Sequence, residues 1–347
     1  MTTTVPEPAT THMHREIGES AAAIAHQRKA NAATLRSLAL ELRVAPPRFV
    51  VTAARGSSDN AATYAKYLIE TQLGLATASA APSIQSVYAV QPHWRDALFL
   101  AISQSGRSPD LLRQAEAAKR SGARVVALVN APDSPLAALA HTVLPLHAGP
   151  ELSVAATKSY LCSLSMIADL VAHWSADAAL DSALAQLPAA LGSARAFDWS
   201  ALVEDLVDAR NLFVVGRGLG LSAAQEAALK LKETCGLHAE AFSAAEVQHG
   251  PMALVDDGFP VLFFTQPDDT LASTLAIAAT FRTRAARVRI ARADAGTGDL
   301  PYAATLHPAC APIAAVHAFY HAANALALRR GRNPDVPPHL RKVTETV

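Results

Sequence analysis

The chain has 347 residues, 30 basic and 30 acidic, so its formal charge is zero; 51% of it is hydrophobic and only 17% charged. That balance excludes the basic footprint of a nucleic-acid binder, and the length suits two domains better than one. Three scattered cysteines, Cys162, Cys235 and Cys310, cannot make a paired framework or a structural zinc site. No signal-like segment opens the chain, and no apolar run approaches the roughly 20 residues of a membrane span. The expectation is a soluble cytoplasmic protein.

Residues 1–11 are polar and proline-bearing and read as a tail. An Ala-, Leu- and Glu-rich segment from His14 to about Arg43 predicts a helix, stopped by Pro46 and Pro47. Arg48–Ala53 is an apolar strand running into Arg55-Gly56-Ser57-Ser58, with a helix over Ala61–Leu73. Strands follow near Thr77–Ala81, Ala97–Ile102, Arg124–Asn130 and Val143–Leu146, with helices over Pro109–Ser121 and Ala155–Trp174. After a helical connector at Asp177–Ser193 the rhythm repeats. Strands at Asn211–Val215, His238–Ser243, Val261–Thr265 and Arg287–Ala291 alternate with helices over Leu221–Cys235, Thr270–Arg284 and Pro312–Arg330. Apolar strands alternating with helices predict parallel sheets covered on both faces, here in two similar α/β halves of about five strands each.

Glu226–Gly250 concentrates charge in an otherwise pale chain. Ala224, Ala227, Ala228, Leu231 and Cys235 form one apolar stripe, and Glu226, Lys230 and Glu233 share the opposite face. A solvated helix face is the ordinary reading of such a run; a carboxylate–lysine–histidine site is the sharper one. In the first half two loops, Gly56–Ser58 and Ser103–Ser108, each follow a strand and open a helix. Backbone N–H groups and short hydroxyls there could cradle a phosphate, and helix capping is the competing reading. Gly216-x-Gly218 has part of a dinucleotide fingerprint, but Leu221 stands where the third glycine belongs, and His238–Ser243 does not end in the acid that would hold a ribose. His238, Glu240 and His249 lack the spacing of a metal site, and no metal is expected.

Several motifs together resemble the sugar isomerase (SIS) domain family. They are Ser103-Gln104-Ser105-Gly106, Glu151–Lys158 (ELSVAATK), Gly216-Arg217-Gly218, Glu226-x-x-x-Lys230-Leu-Lys232-Glu233, His238-Ala-Glu240, Glu246-x-x-His249-Gly250-Pro251 and Leu340–Thr344. His14-Arg15-Glu16-Ile17 is similar to the family's entry segment. The match spans nearly the whole chain and is closest in kind to the isomerase half of glucosamine-6-phosphate synthase and to aminosugar-6-phosphate deaminases. It implies two tandem SIS domains, each a flavodoxin-like parallel sheet of about five strands with helices on both faces. The expected division is an N-terminal tail and helix at 1–44, a first SIS domain at 45–176, a connector at 177–198, a second SIS domain at 199–331 and a tail at 332–347 that enters the active site.

The resemblance also implies roles. Ser58, Ser103, Gln104, Ser105 and Ser108 would hold the sugar phosphate, and Val154 would border the sugar. Glu233 would move a proton between C1 and C2, with Lys230 beside it. His249 would open the ring from the neighbouring subunit of a homodimer, and Lys342 would reach the open-chain sugar. These residue types suit proton shuttling and carbonyl chemistry. No cofactor is implied. The chain begins Met1-Thr2 and its first cysteine is Cys162, so no counterpart of the synthase's glutaminase nucleophile is expected. Ala156 stands where the synthase has serine, and Gln248 where it has lysine. The implied activity is conversion of glucosamine 6-phosphate to fructose 6-phosphate and ammonia. The alternatives are isomerisation or deglycation of galactosamine 6-phosphate or fructosamine 6-phosphate, or a non-catalytic sugar-phosphate-binding regulatory module.

Overall fold

The computed structural model describes residues 8–193 and 197–342. Its strands form two all-parallel sheets. In the first, β1 (Val50–Ala53), β2 (Thr77–Ser79), β3 (Leu98–Ser103), β4 (Arg124–Val129) and β5 (Thr142–Pro145) lie in the order β2-β1-β3-β4-β5. In the second, β6 (Asn211–Gly216), β7 (His238–Ser243), β8 (Pro260–Phe264), β9 (Arg287–Arg292) and β10 (Leu300–Pro301) lie in the order β10-β9-β8-β6-β7. Numbered from its own first strand, each sheet reads 2-1-3-4-5, the flavodoxin-like order.

The helices in chain order are α1 (His12–Val44), α2 (Ser57–Leu73), α3 (Pro82–Ser86), α4 (Pro109–Arg120), α5 (Pro135–Leu139), α6 (Lys158–Ser175), α7 (Ala178–Gly192), α8 (Ser200–Leu206), α9 (Gly220–Cys235), α10 (Leu271–Arg282) and α11 (Ala311–Arg329). Among the described residues, 22–150, 159–184 and 341–342 form one compact unit, and 8–21, 151–158 and 185–340 the other. The division falls inside α1, and the 151–158 loop groups with the second sheet.

Each sheet is buried on both faces, as the unbroken apolar runs predict. On the first, alternate residues Val51, Phe99, Ala101, Val125 and Ala127 pack against Leu111 and Ala115 of α4 and Leu136 of α5. Their neighbours Val50, Leu98, Leu100, Val126 and Leu128 are equally buried on the other face. On the second, Phe213, Val215, Val261 and Phe263 meet Ala278 and Phe281 of α10, while Leu212, Val214, Leu262 and Phe264 are buried on the opposite side.

Most expected elements appear within a few residues of their sequence bounds. Helix α2 begins at Ser57, not Ala61, because Ser57–Asn60 already close turns, with the Asp59 and Asn60 amides donating to the Gly56 carbonyl. The fifth strand of the second sheet, β10, has only two residues, one of them proline. It is too short for any periodicity, and proline is tolerated there because an edge strand needs no second donor. Short helices α3, α5 and α8 were likewise too brief to carry a 3.6-residue pattern.

Candidate functional site

In the unit built on the first sheet, the β3–α4 loop is fixed from several directions. The Ser103 hydroxyl accepts the Gly106 amide at 3.0 Å. The Gln104 carbonyl accepts the Asn130 amide, and the Gly106 carbonyl accepts the Leu136 amide, each at 3.2 Å. Gly106 has φ +63°, and a Cβ there would collide with the Ser134 side chain. Only glycine fits a left-handed position with its face so closely packed. The loop is therefore a rigid ridge carrying Ser103, Gln104, Ser105 and Ser108 at the carboxyl end of β3.

Capping does not account for its serines. Ser108 occupies the N-cap of α4 and Gly56 that of α2, yet neither helix has a side-chain cap hydrogen bond. Ser103 binds the Gly106 amide through a lone pair, so its hydroxyl proton remains available to a ligand. Ser105 makes only a 3.4 Å contact with the Arg107 amide. Ser58 and Ser108 are half-buried on the first turns of α2 and α4's entry, where helix ends favour anions. Nearby, Asp110 is buried in the first turn of α4, and Arg55 pairs with it at 2.5 Å and offsets its charge.

The second unit holds a different chemistry. Helix α9 forms because Ala, Leu, Lys, Gln and Glu dominate it. It ends where Gly236, at φ 58°, turns left-handed and returns its amide to the Leu231 carbonyl. The charged face is largely withdrawn from water. Glu226 and Lys230 side chains are 0% exposed and Glu233 is 22% exposed. Helix α11 packs along α9 and sets Tyr320 against Glu226 on that face. Lys230 Nζ lies 3.6 Å from Glu226 Oε1 and hydrogen-bonds Glu233. The Tyr320 hydroxyl of α11 donates to Glu226 Oε1 at 2.8 Å. Burial pushes the Lys230 pKa down, but Glu226 and Glu233, with Glu151 beyond them, outweigh it and hold the group above its ordinary value. Lys230 is thus an ammonium at neutral pH, suited to holding an oxygen and not to attacking a carbonyl.

The 151–158 loop is held within the same unit. Buried Glu16 accepts the Leu152 and Ser153 amides, and Glu151 accepts the Thr157 amide at 3.0 Å. Burial, with the like charge of Glu151, pushes the Glu16 carboxyl up despite those amides. Val154 donates its amide to the Asp335 carbonyl at 3.1 Å. The Asp335 carboxylate caps α1, accepting the His12 and Met13 amides at 2.7 and 2.8 Å. Lys158, almost fully buried, pairs with Glu19 at 2.5 Å.

The remaining expected residues stand as follows. His249 is exposed, just after the single helical turn Glu246–Gln248. Among the described residues, no hydrogen bond or ion pair joins its ring to Glu233 or Lys230. Lys342, the last described residue, is half-buried. His238 and Glu240 are exposed on edge strand β7, and they do not gather with His249 into a metal-sized group among the described residues. The one such group found there is Asp169, His173 and Asp181. Arg28 already bridges both carboxylates, at 3.1 and 2.5 Å. The glycine-rich turn after β6 serves packing: a Cβ on Gly216 would strike the Gly220 carbonyl, and Gln266 lies against Gly220 while donating to the Arg217 carbonyl at 2.7 Å.

Tyr320, Glu16, Glu19 and Asp335 escaped the sequence reading as site residues. Tyr320 sits in an apolar helix with no pattern to mark it, and Glu16 and Asp335 act across more than a hundred residues.

The SIS domain family matches residues 41–172 and 205–328, one match over each sheet. The chain belongs to this family. Glutamine–fructose-6-phosphate aminotransferase (isomerizing) of Thermus thermophilus is 35% identical to this SIS protein over 310 residues, 83% of this chain but 50% of the relative. The SIS protein thus spans about half the length of the curated relatives it matches. A candidate phosphosugar isomerase of Silicibacter pomeroyi superposes with TM-score 0.89 at 41% identity, over 94% of this chain and 100% of the other. A glucosamine-6-phosphate deaminase of Thermotoga maritima has TM-score 0.77 at 22% identity, over 97% of this chain and 100% of the other, a likeness of fold. Among the described residues no helix is long and apolar enough to cross a membrane.

Proposed function

We propose that this SIS protein is an aminosugar-phosphate deaminase–isomerase that converts glucosamine 6-phosphate to fructose 6-phosphate and ammonia. The observation that carries the reading is Glu233, part exposed and hydrogen-bonded to the buried Lys230 ammonium. Burying a lysine between two carboxylates is costly for stability, so its presence argues for a chemical task. Family membership and the phosphosugar chemistry named for the relatives support the substrate class.

In this reading Ser58, Ser103, Gln104, Ser105 and Ser108 receive the phosphate and Val154 borders the sugar. His249, from the neighbouring subunit of a homodimer, opens the ring. Glu233 then takes the proton from C2 of the open-chain aldehyde and returns one to C1, leaving a C2 imine. Water adds to that imine, and ammonia leaves as the C2 ketone forms. Lys230 holds the Glu233 carboxylate and the tail residue Lys342 holds the sugar's oxygens through this transfer, and 1,2-proton movement of this kind calls for no cofactor.

The test is ammonia release from purified protein and glucosamine 6-phosphate. Glu233→Gln should lower kcat at least about a hundredfold, the span of a general base. Turnover unchanged by that substitution would overturn the role of Glu233. A panel including galactosamine 6-phosphate and fructosamine 6-phosphate would show whether a related substrate is used instead.

A further inference from the structure

We propose that Glu226, held by the Tyr320 hydroxyl, is a positioning residue that keeps Lys230 as an ammonium aimed at Glu233. The proposal rests on the reading of Glu233 as the proton-transferring carboxylate, and it adds two residues to which that reading gives no part. Glu226 and Tyr320 are both fully buried. The same oxygen, Glu226 Oε1, takes the Tyr320 proton at 2.8 Å and faces Lys230 Nζ at 3.6 Å. A glutamate on a helix has several rotamers, and a hydrogen bond from a neighbouring helix selects one.

Among the described residues, the groups that set the charge around Lys230 come from three elements. Helix α9 supplies Glu226 and Glu233, the 151–158 loop supplies the charge of Glu151, and α11 supplies the neutral phenol of Tyr320. Burial alone would make Lys230 a neutral amine. Glu233 cannot both prevent that and exchange its own proton during the reaction, because its charge disappears at the step where the lysine is needed. Glu226 takes no part in proton exchange under this scheme. Its charge is constant, so the ammonium survives protonation of Glu233. The phenol donates to the carboxylate and prevents Glu226 from swinging fully onto Nζ, which leaves the lysine's protons directed to Glu233.

The experiment uses Glu226→Gln and Tyr320→Phe in the full chain. The glutamine keeps the shape and can still accept the Tyr320 proton through its amide oxygen, but it removes the charge. NMR of isotopically labelled lysine, with the Lys230 signal assigned by Lys230→Arg, follows its titration in the protein without substrate. The expected result for Glu226→Gln is a midpoint lower by about one pH unit or more, the effect of losing an opposite charge a few ångströms away. The alkaline limb of kcat for glucosamine 6-phosphate should move down with it. Tyr320→Phe should lower kcat about tenfold with KM changed less than about twofold, the loss of one hydrogen bond to a charged group. It carries the test should Glu226→Gln not fold. An unmoved Lys230 midpoint in folded Glu226→Gln, or a Tyr320→Phe protein that loses thermal stability but keeps kcat, overturns the proposal. A shifted midpoint in a protein with no turnover on any sugar phosphate supports the positioning and overturns the reaction instead.

Discussion

Lys230→Met offers the sharpest measure of what the buried charges do to stability. Methionine matches the lysine stem in length and bulk, so packing is nearly kept and only the ammonium is lost. At 3.6 Å from Glu226 Oε1, the attraction amounts to about 4 to 5 kcal/mol at an effective dielectric near 20. Glu226 then stands fully buried, still accepting the Tyr320 hydroxyl but without the ammonium. Breaking a buried pair on one side costs roughly 3–5 kcal/mol, because the remaining charge is uncompensated. Urea unfolding at pH 7 should therefore show a loss of about that size. Glu226 should respond by raising its pKa above the unfolded value. A group shifted that way contributes stability that is present below the unfolded pKa of about 4.3 and lost as pH rises through the folded value. The variant should accordingly recover toward the parent as pH falls from 7. Lys230→Met combined with Glu226→Gln should regain most of the loss at pH 7, since the two sites are coupled. A single variant within about 1 kcal/mol of the parent, with no recovery in acid, would refute the burial of an ionised Glu226.

Other predictions follow from the rest of the molecule. Gly106→Ala places a Cβ on Ser134 in a left-handed turn, and should cost about 2 kcal/mol or more in thermal unfolding and raise KM more than it lowers kcat. The Asp169 carboxylate, through its hydrogen bond to His173, holds that imidazole above its usual range despite partial burial. Its stabilisation is present below the unfolded value of about 6.5 and is lost as pH rises through the folded one, so as pH rises from about 6 the parent should lose more stability than His173→Gln in urea titrations, and equal losses would count against the pairing. Asp335→Ala removes the carboxylate on the His12 and Met13 amides; a loss of about 1–2 kcal/mol and faster amide exchange at the start of α1 are expected, and unchanged exchange there would count against the cap. In mixed dimers of Glu233→Gln and His249→Ala, activity should return in part, and verified mixed dimers that stay inactive would place both groups in one chain's site.

Glu226, Lys230 and Glu233 show where sequence and structure each had their say. Spacing alone put Glu226, Lys230 and Glu233 on one face of α9, because a helix repeats every 3.6 residues wherever it lies. Alternation of apolar runs with helical segments fixed two parallel α/β halves, since an apolar strand needs cover on both faces. The SIS motifs marked the hydroxyl loop after β3 and the Glu246–Pro251 segment, which are local in the chain. Spacing could not say which medium the charged face meets. A run of charges on one helix normally faces water, and here tertiary packing buries Glu226 and Lys230, with the Tyr320 hydroxyl of α11, some ninety residues later, bonded to Glu226. The same holds for the 151–158 loop, whose amides depend on Glu16 and Asp335 at the two ends of the chain. Local pattern sets which atoms point the same way; tertiary packing sets the dielectric around them, and for a lysine and three carboxylates that decides whether they are a solvated surface or a site.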